Sequence, residues 1–403
     1  MILESVIANV IEQQWQRLKL REVGLKRELE PATISLSSHA LIISGIRRCG
    51  KSTLLLQMIR AQQGKVLYMN FESPQLYDFA ITDFVRLDNL LRKKNYEILF
   101  FDEIQLVDGW EMYIRQKLDE GFKVVITGSN ASLLSKELGT RLTGRHITQE
   151  LFPFSYTEFI DFLHLKPNAE SLTRYLQTGG FPEYIKTNDE EQLYTLFEDI
   201  LIRDIVARYG IKDAKSLQRL ATYLFSNIGN RVTATKLKQP LSIGATSTVL
   251  TWFSHLELSY LLAFVPMFSH STKAQMINPR KVYAIDLGLV NVISNNQTDD
   301  LGLKLENLIF LHLRRKYDEI YYFDDKGECD FVAFQKGKVV EIIQVCYQLT
   351  PDNMKREING LVKAMQFFNI KKAIIVTYSN ADQMQVDDCE IQVTPAFEYL
   401  KSK

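Results

Sequence analysis

The segment Gly45-Ile46-Arg47-Arg48-Cys49-Gly50-Lys51-Ser52 sets two glycines, a lysine and a hydroxyl at the spacing G-x-x-x-x-G-K-[ST]. A backbone that folds tightly at both glycines turns successive N–H groups toward an anion, the ammonium reaches between phosphate oxygens, and the hydroxyl can ligate Mg2+. Residues Gly45 to Ser52, with Thr53, are therefore the candidate phosphate binders of a nucleotide site, Lys51 serving catalysis as well. Further along, the apolar run YEILFF ends in Asp102-Glu103. Asp102 is expected to share a metal with Ser52, and Glu103 to polarise the attacking water. Ser129 and Asn130, after KVVITG, offer polar contacts beside a terminal phosphate, and Asn70 in LYMNFE offers a partner for Glu103; an ordinary strand end or cap is the alternative for each, and the favoured one for Asn70. Arg141 and Arg145 are candidates for a guanidinium that stabilises charge on the phosphoryl group, from the same or a neighbouring subunit, with a surface salt bridge as the alternative for each.

The elements that must hold these groups follow from the hydrophobic pattern. ALIISGI (40–46), KVLYMNFE (65–72), YEILFFDE (96–103) and KVVITGSN (123–130) are short apolar runs with crossover-length gaps. They predict β-α-β units, hence a parallel sheet with helices on both faces over 35–150. The phosphate motif then falls between a strand and the helix STLLLQMIRAQ, as its chemistry requires. Residues 1–34 are expected to form a helical arm. After LFPFSYTEF the strand rhythm stops, and 151–210 is expected to be a helical connector containing the helix LFEDILIRDIVARYG. Over 211–295, LQRLATYLFSNIG, TATKLKQPL and TSTVLTWFSHLEL predict three helices, and SYLLAFVPMF and KVYAIDLG two extended pieces, the order of a winged helix. Residues 296–403 mix one helix with strands and make a second α/β domain. The fold class is α/β.

A chain of 403 residues with 46% hydrophobic and 24% charged residues is neither disordered nor a disulfide-rich secreted module. Its net charge is zero, but 208–281 carries ten basic side chains (Arg208, Lys212, Lys215, Arg219, Arg231, Lys236, Lys238, Lys273, Arg280, Lys281) against Asp213 and Glu257. That local excess makes duplex DNA a candidate partner, with Thr246, Ser247 and Thr248 opening the helix that would meet it. Winged helices also dock proteins, so a protein partner stays open. Cys49, Cys329, Cys346 and Cys389 have no metal-ligand spacing and read as reduced thiols, and no apolar run approaches a membrane span. A cytoplasmic protein with no membrane partner is expected.

GIRRCGKST, NFE, FFDEIQ, ITGSN and LTGR followed by LFPFSYTEF, then TGGFPEYI, IRDIVARYGI, KVYAIDLG and LENLIF…ECDFV…IQVCY, resemble over most of the chain the prokaryotic AAA-superfamily ATPases that join a P-loop domain to an uncharacterised C-terminal domain. The resemblance implies an ATP-driven protein using Mg2+. It also implies a C-terminal core similar to restriction endonucleases, in which an upstream Glu, an Asp and an E-x-K hold Mg2+ and position water. Glu306 and Asp330 match the first two. Gln344 and Cys346 replace the Glu and Lys of the third, and Glu341, three residues before Gln344, cannot share its strand face. Metal-dependent cleavage is therefore not expected. Two readings lead, an ATPase whose nucleotide state controls a DNA-binding winged helix and a nucleotide-dependent switch or scaffold that recruits a protein with little hydrolysis; an ATP-dependent nuclease is a third, weakened by Gln344 and Cys346.

Overall fold

The computed structural model describes residues 1–29, 38–129, 142, 144–294, 300–317 and 319–401. Asn130 and Arg141 lie outside the described residues. The chain divides into two compact units, Met1–Leu151 and Phe152–Lys403. The segments expected at 151–210, 211–295 and 296–403 all fall in the second.

In the first unit, β1 (Ala40–Ser44), β2 (Val66–Asn70), β3 (Ile98–Asp102), β4 (Lys123–Gly128) and β5 (His146–Glu150) form one sheet in the order β2-β3-β4-β1-β5. Every pairing is parallel. The runs ALIIS and ILFFD, on either side of the central β4, are buried along their whole length, which accounts for their unbroken apolar character. Strand β5 lies at an edge, and its sequence HITQE is polar and partly exposed, so hydrophobic patterning did not single it out. Helices α2 (Lys51–Ala61), α3 (Phe84–Lys94) and α4 (Trp110–Asp119) provide the crossovers. The N-terminal helix α1 (Glu4–Leu20) is more than an arm: Ile7, Val10 and Ile11 are buried in the same core as Leu67, Met69 and Leu91. Across that core the rings of Phe84 and Tyr113 stack at 3.8 Å between α3 and α4.

The second unit begins with four short helices: α5 (Tyr156–Leu163), α6 (Ala169–Thr178), α7 (Pro182–Thr187) and α8 (Glu190–Asp199). Helix α8 runs on into a π-helical stretch, Ile200–Ala207, so the expected long helix is present with a wider turn in it. Then follow α9 (Ala214–Phe225), β6 (Arg231–Val232), α10 (Ala234–Lys238), α11 (Thr246–Leu258), β7 (Leu262–Pro266), α12 (Thr272–Ile277) and β8 (Arg280–Ala284). The three strands make an antiparallel sheet in the order β6-β8-β7. After α13 (Leu287–Ile293) and α14 (Leu301–Lys316) come β9 (Glu319–Asp324), β10 (Glu328–Gln335), β11 (Lys338–Cys346), α15 (Pro351–Phe368), β12 (Lys372–Thr377), β13 (Asp382–Val386), β14 (Cys389–Pro395) and a last short helix, α16 (Ala396–Tyr399). Their six strands form a mixed sheet, β13-β14-β12-β11-β10-β9, antiparallel from β9 to β11 and parallel from β11 through β12 to β14. Helix α15 packs Leu361, Ala364 and Met365 on one face of it.

All four cysteines are buried and unpaired. Among the described residues no helix is long and apolar enough to cross a membrane.

Candidate nucleotide site

The phosphate loop leaves β1 at its carboxyl end and closes into α2, whose first residue is Lys51. Two glycines permit the turn for different reasons. At Gly45 a Cβ would overlap the carbonyl oxygen of Leu151, and at Gly50 the backbone is left-handed, with φ of 107°. Lys51 is almost fully buried, and its Nζ donates to the carbonyl oxygens of Gly45 (2.9 Å) and Ile46 (3.1 Å). The same ammonium stands 3.8 Å from Glu103 Oε1. Ser52 Oγ, one residue on, donates to Asp102 Oδ2 at 2.8 Å.

Strand β3 brings Asp102 to this end of the sheet, with β4 between it and β1. Asp102 is fully buried and gathers donors from three elements: Ser52, Tyr68 Oη (3.0 Å) and Asn70 Nδ2 (3.3 Å) on Oδ2, and the Thr127 hydroxyl on Oδ1. Burial, and next the neighbouring charge of Glu103, push its carboxyl above the usual range, while the Thr127 and Ser52 hydroxyls and Lys51 pull the other way. Glu103 follows with a left-handed backbone (φ 56°), which turns its side chain from the strand toward Lys51. Burial raises this carboxyl as well, yet Lys51 and the Gln105 amide outweigh it and hold Glu103 below the usual range, ionised at neutral pH. Gln105 Nε2 and the Ser129 backbone N–H (3.2 Å) fix its Oε2.

Lys51, Ser52, Asp102, Glu103 and Ser129 thus lie together at this end of the sheet. Asn70 meets Asp102 instead of Glu103, because the parallel register pairs Asn70 with Asp102 across β2 and β3. Arg145 lies apart from this group. It precedes β5 at the end paired with Ala40, the start of β1, so it sits at the opposite end of the strands from its own phosphate loop. Its guanidinium binds Asp119 and the Ser38 carbonyl, so the salt-bridge reading holds within the chain. Within the loop, Arg47 pairs with Glu72 at 3.1 Å, Ile46 and Cys49 are buried, Arg48 takes a left-handed backbone, and burial raises the Cys49 thiol.

Four contributors escaped the sequence reading. Arg27 Nη1 donates to the Cys49 carbonyl (2.9 Å) and braces the loop from outside. Tyr68, Thr127 and Gln105 surround the two carboxylates. The available signal was weak: Tyr68 and Thr127 are polar groups inside apolar runs, Tyr68 in register with Phe100 and Thr127 with Ile43, and only tertiary structure shows which carboxylate they meet. Near Glu103 the Ser129 hydroxyl and Gln105 Oε1 are buried with no hydrogen-bond partner among the described residues. A donor and an acceptor left open beside an ionised carboxylate and a phosphate loop fit a water and a terminal phosphate, and Ser52 with Asp102 fits a hard oxygen-preferring cation.

A phosphate loop between β1 and α2, with an acidic pair one strand removed, defines a P-loop protein of the AAA class. The chain belongs to the family of AAA-domain P-loop ATPases that carry an uncharacterised C-terminal domain. Residues 37–160 match the AAA domain model, and 169–300 match a domain of unknown function (DUF8612). The chain is similar to the uncharacterized protein MJ1544 of Methanocaldococcus jannaschii, 33% identical over 89% of this chain and 87% of that one. An uncharacterized protein of Haemophilus influenzae is 31% identical over 87% of this chain and 92% of its own length. Among solved structures, the Walker-type ATPase PABY2304 of Pyrococcus abyssi aligns with 67% of this chain and 99% of its own at 16% identity, with a TM-score of 0.43.

Proposed function

We propose that this protein binds ATP with Mg2+ and hydrolyses the terminal phosphate, and that its nucleotide state controls a DNA-binding winged helix built from residues 211–295. The observation that carries the first part is the meeting of Ser52 Oγ with Asp102 Oδ2 at 2.8 Å while Lys51 stands 3.8 Å from Glu103. The loop N–H groups and Lys51 would bind the phosphates, and Ser52 and Asp102 would hold the Mg2+, which neutralises phosphate charge when bound. Glu103, kept ionised, accepts the proton of a water, and Ser129 and Gln105 orient that water through their open hydroxyl and carbonyl. Lys51→Ala is expected to abolish ATP binding. Glu103→Gln is expected to keep binding and lose turnover. Native hydrolysis rates in both variants would refute the proposal.

The DNA reading rests on the order of α9, α10, α11 and the β6-β8-β7 sheet and on exposed cations at Arg208, Lys212, Lys215, Arg219, Lys236 and Lys273. Arg231 and Lys281 do not contribute, since both are engaged by acidic side chains of the C-terminal sheet. ATPase rate measured with duplex DNA over a salt series tests it: stimulation that falls steeply with salt is expected. The protein-recruiting switch has its own support in α11, whose 13 residues TSTVLTWFSHLEL include no Lys or Arg and whose Leu250 is 46% exposed. A rate that is flat and low at every salt concentration favours that reading, in which hydrolysis is slow and the partner is a protein.

A further inference from the structure

The second unit contains a buried charge cluster far in sequence from the phosphate loop. Its centre is Lys281 on β8, with a side chain only 3% exposed. The Nζ atom stands 2.9 Å from Glu306 Oε1, 2.7 Å from Asp330 Oδ1 and 2.7 Å from Glu328 Oε1. An ammonium has three N–H donors and no acceptor, so three carboxylates saturate it. Tyr283, two residues along β8, donates its hydroxyl to Glu306 Oε1 at 2.6 Å. The second oxygen of Asp330 accepts the Val345 N–H at 2.9 Å.

Glu306 and Asp330 are the two residues that match the metal ligands of a restriction-endonuclease-like core, and their surroundings do not suit a metal. Gln344 lies beside Asp330, but its Oε1 accepts the Asp330 backbone N–H (3.2 Å) and its Nε2 donates to Glu357 (2.7 Å), so the amide ties β10 to α15. Cys346 directs its thiol to the Gln348 carbonyl at 3.2 Å. Glu341 is turned to Tyr399, whose hydroxyl it accepts at 3.0 Å. With Lys281 in place, no group of three or more His, Cys, Asp or Glu side chains among the described residues could hold a metal ion. Contacts of 2.7–2.9 Å are those of N⁺–H···O⁻ bonds, whereas Mg2+ requires about 2.0–2.1 Å and near-octahedral oxygen.

We propose that the Lys281 ammonium stands where an endonuclease-like core would carry its divalent cation, an internal substitute that makes this core a metal-free binding module and fastens the β6-β8-β7 sheet to it. The inference rests on reading the six-stranded sheet as endonuclease-like and is independent of ATP hydrolysis. Arg231 on β6 reinforces the joint by pairing with Asp324 (2.7 Å) and Glu328 (2.8 Å). Removing one partner of such a buried set leaves uncompensated charge, which an added cation can relieve.

The test is Mn2+ binding to the full chain without nucleotide, followed by electron paramagnetic resonance, in an Asp102→Asn background that silences the phosphate site. The parent chain is expected to bind no Mn2+ that depends on Glu306, and its thermal midpoint to be unmoved by millimolar Mn2+. Lys281→Met is expected to gain one Mn2+ per chain, and a further Glu306→Gln to lose it again. The proposal is overturned if the parent already holds an ion that Glu306→Gln removes, if folded Lys281→Met gains none, or if the native chain cuts DNA with Mg2+ or Mn2+. Should Lys281→Met not fold, the comparison of the parent with Glu306→Gln decides alone. Loss of ATP turnover in Lys51→Ala bears on none of these outcomes, so failure of the ATPase reading is scored separately.

Discussion

The Tyr68 hydroxyl donates to Asp102 Oδ2 at 3.0 Å, onto the same oxygen that accepts Ser52 Oγ at 2.8 Å. Burial, and then the Asp102 charge, raise the phenol far above its ordinary range, so it remains a donor at any physiological pH. Strand β2 thereby supports the carboxylate proposed to hold the metal from behind, and the support comes from a residue with no part in the phosphate motif.

Tyr68→Phe keeps the ring and removes only that donor. Outer hydrogen-bond partners of metal-holding groups typically change affinity or activity by about 10–100-fold. A fall of that order in ATP turnover is expected, with the Mg2+ requirement shifted to higher concentration. Stability should drop by only about 1 kcal/mol in a denaturant titration.

Gly45→Ala places a Cβ against the Leu151 carbonyl oxygen, a backbone atom that cannot swing aside. Overpacking of this kind costs about 1–3 kcal/mol. The expected result is a lowered thermal midpoint together with loss of nucleotide binding, measured by calorimetry on the folded fraction.

Arg145→Ala removes a partly exposed pair with Asp119. Surface pairs contribute about 0–1 kcal/mol, so stability should barely change. With its guanidinium at the far end of the strands from its own loop, ATP turnover in dilute protein should stay within about twofold of the native rate. A large loss that grows with protein concentration would mean the arginine serves a neighbouring chain.

His312 on α14 lies against the Tyr399 ring, and burial, helped by Lys316 and Arg315, lowers its imidazole from 6.5 to about 3. Because the folded chain binds this proton less readily than the unfolded one, the contribution to stability is complete above about pH 6.5 and is lost as pH falls toward 3. Within that window it amounts to up to about 1.4 kcal/mol per pH unit. Acid titrations of the native chain and His312→Leu, followed by circular dichroism, should show a shallower acid limb in the variant.

Much of this protein is determined by residues that are neighbours in the chain. The loop Gly45–Ser52, the Asp102-Glu103 pair and the strands around them follow from local spacing and periodicity, because a strand, a tight turn and a helix N-terminus are short-range objects. Three helices and two strands of 211–295 are legible for the same reason, whereas the two-residue β6 and the six-residue α12 are too short to carry a periodicity. What tertiary structure decided is which of these groups meet. Register across β2 and β3 sent Asn70 to Asp102 and brought in Tyr68; the parallel pairing of β5 with β1 carried Arg145 away from the loop; the left-handed turn at Glu103 aimed it at Lys51. The largest change concerns charge. Ten basic residues in 208–281 looked like a surface for nucleic acid, yet Lys281 points inward, because three carboxylates from α14 and β10 pair with it in a place where its charge could not otherwise be buried. A composition counts charges but has no sense of inside and outside, and that distinction exists only once distant strands have paired.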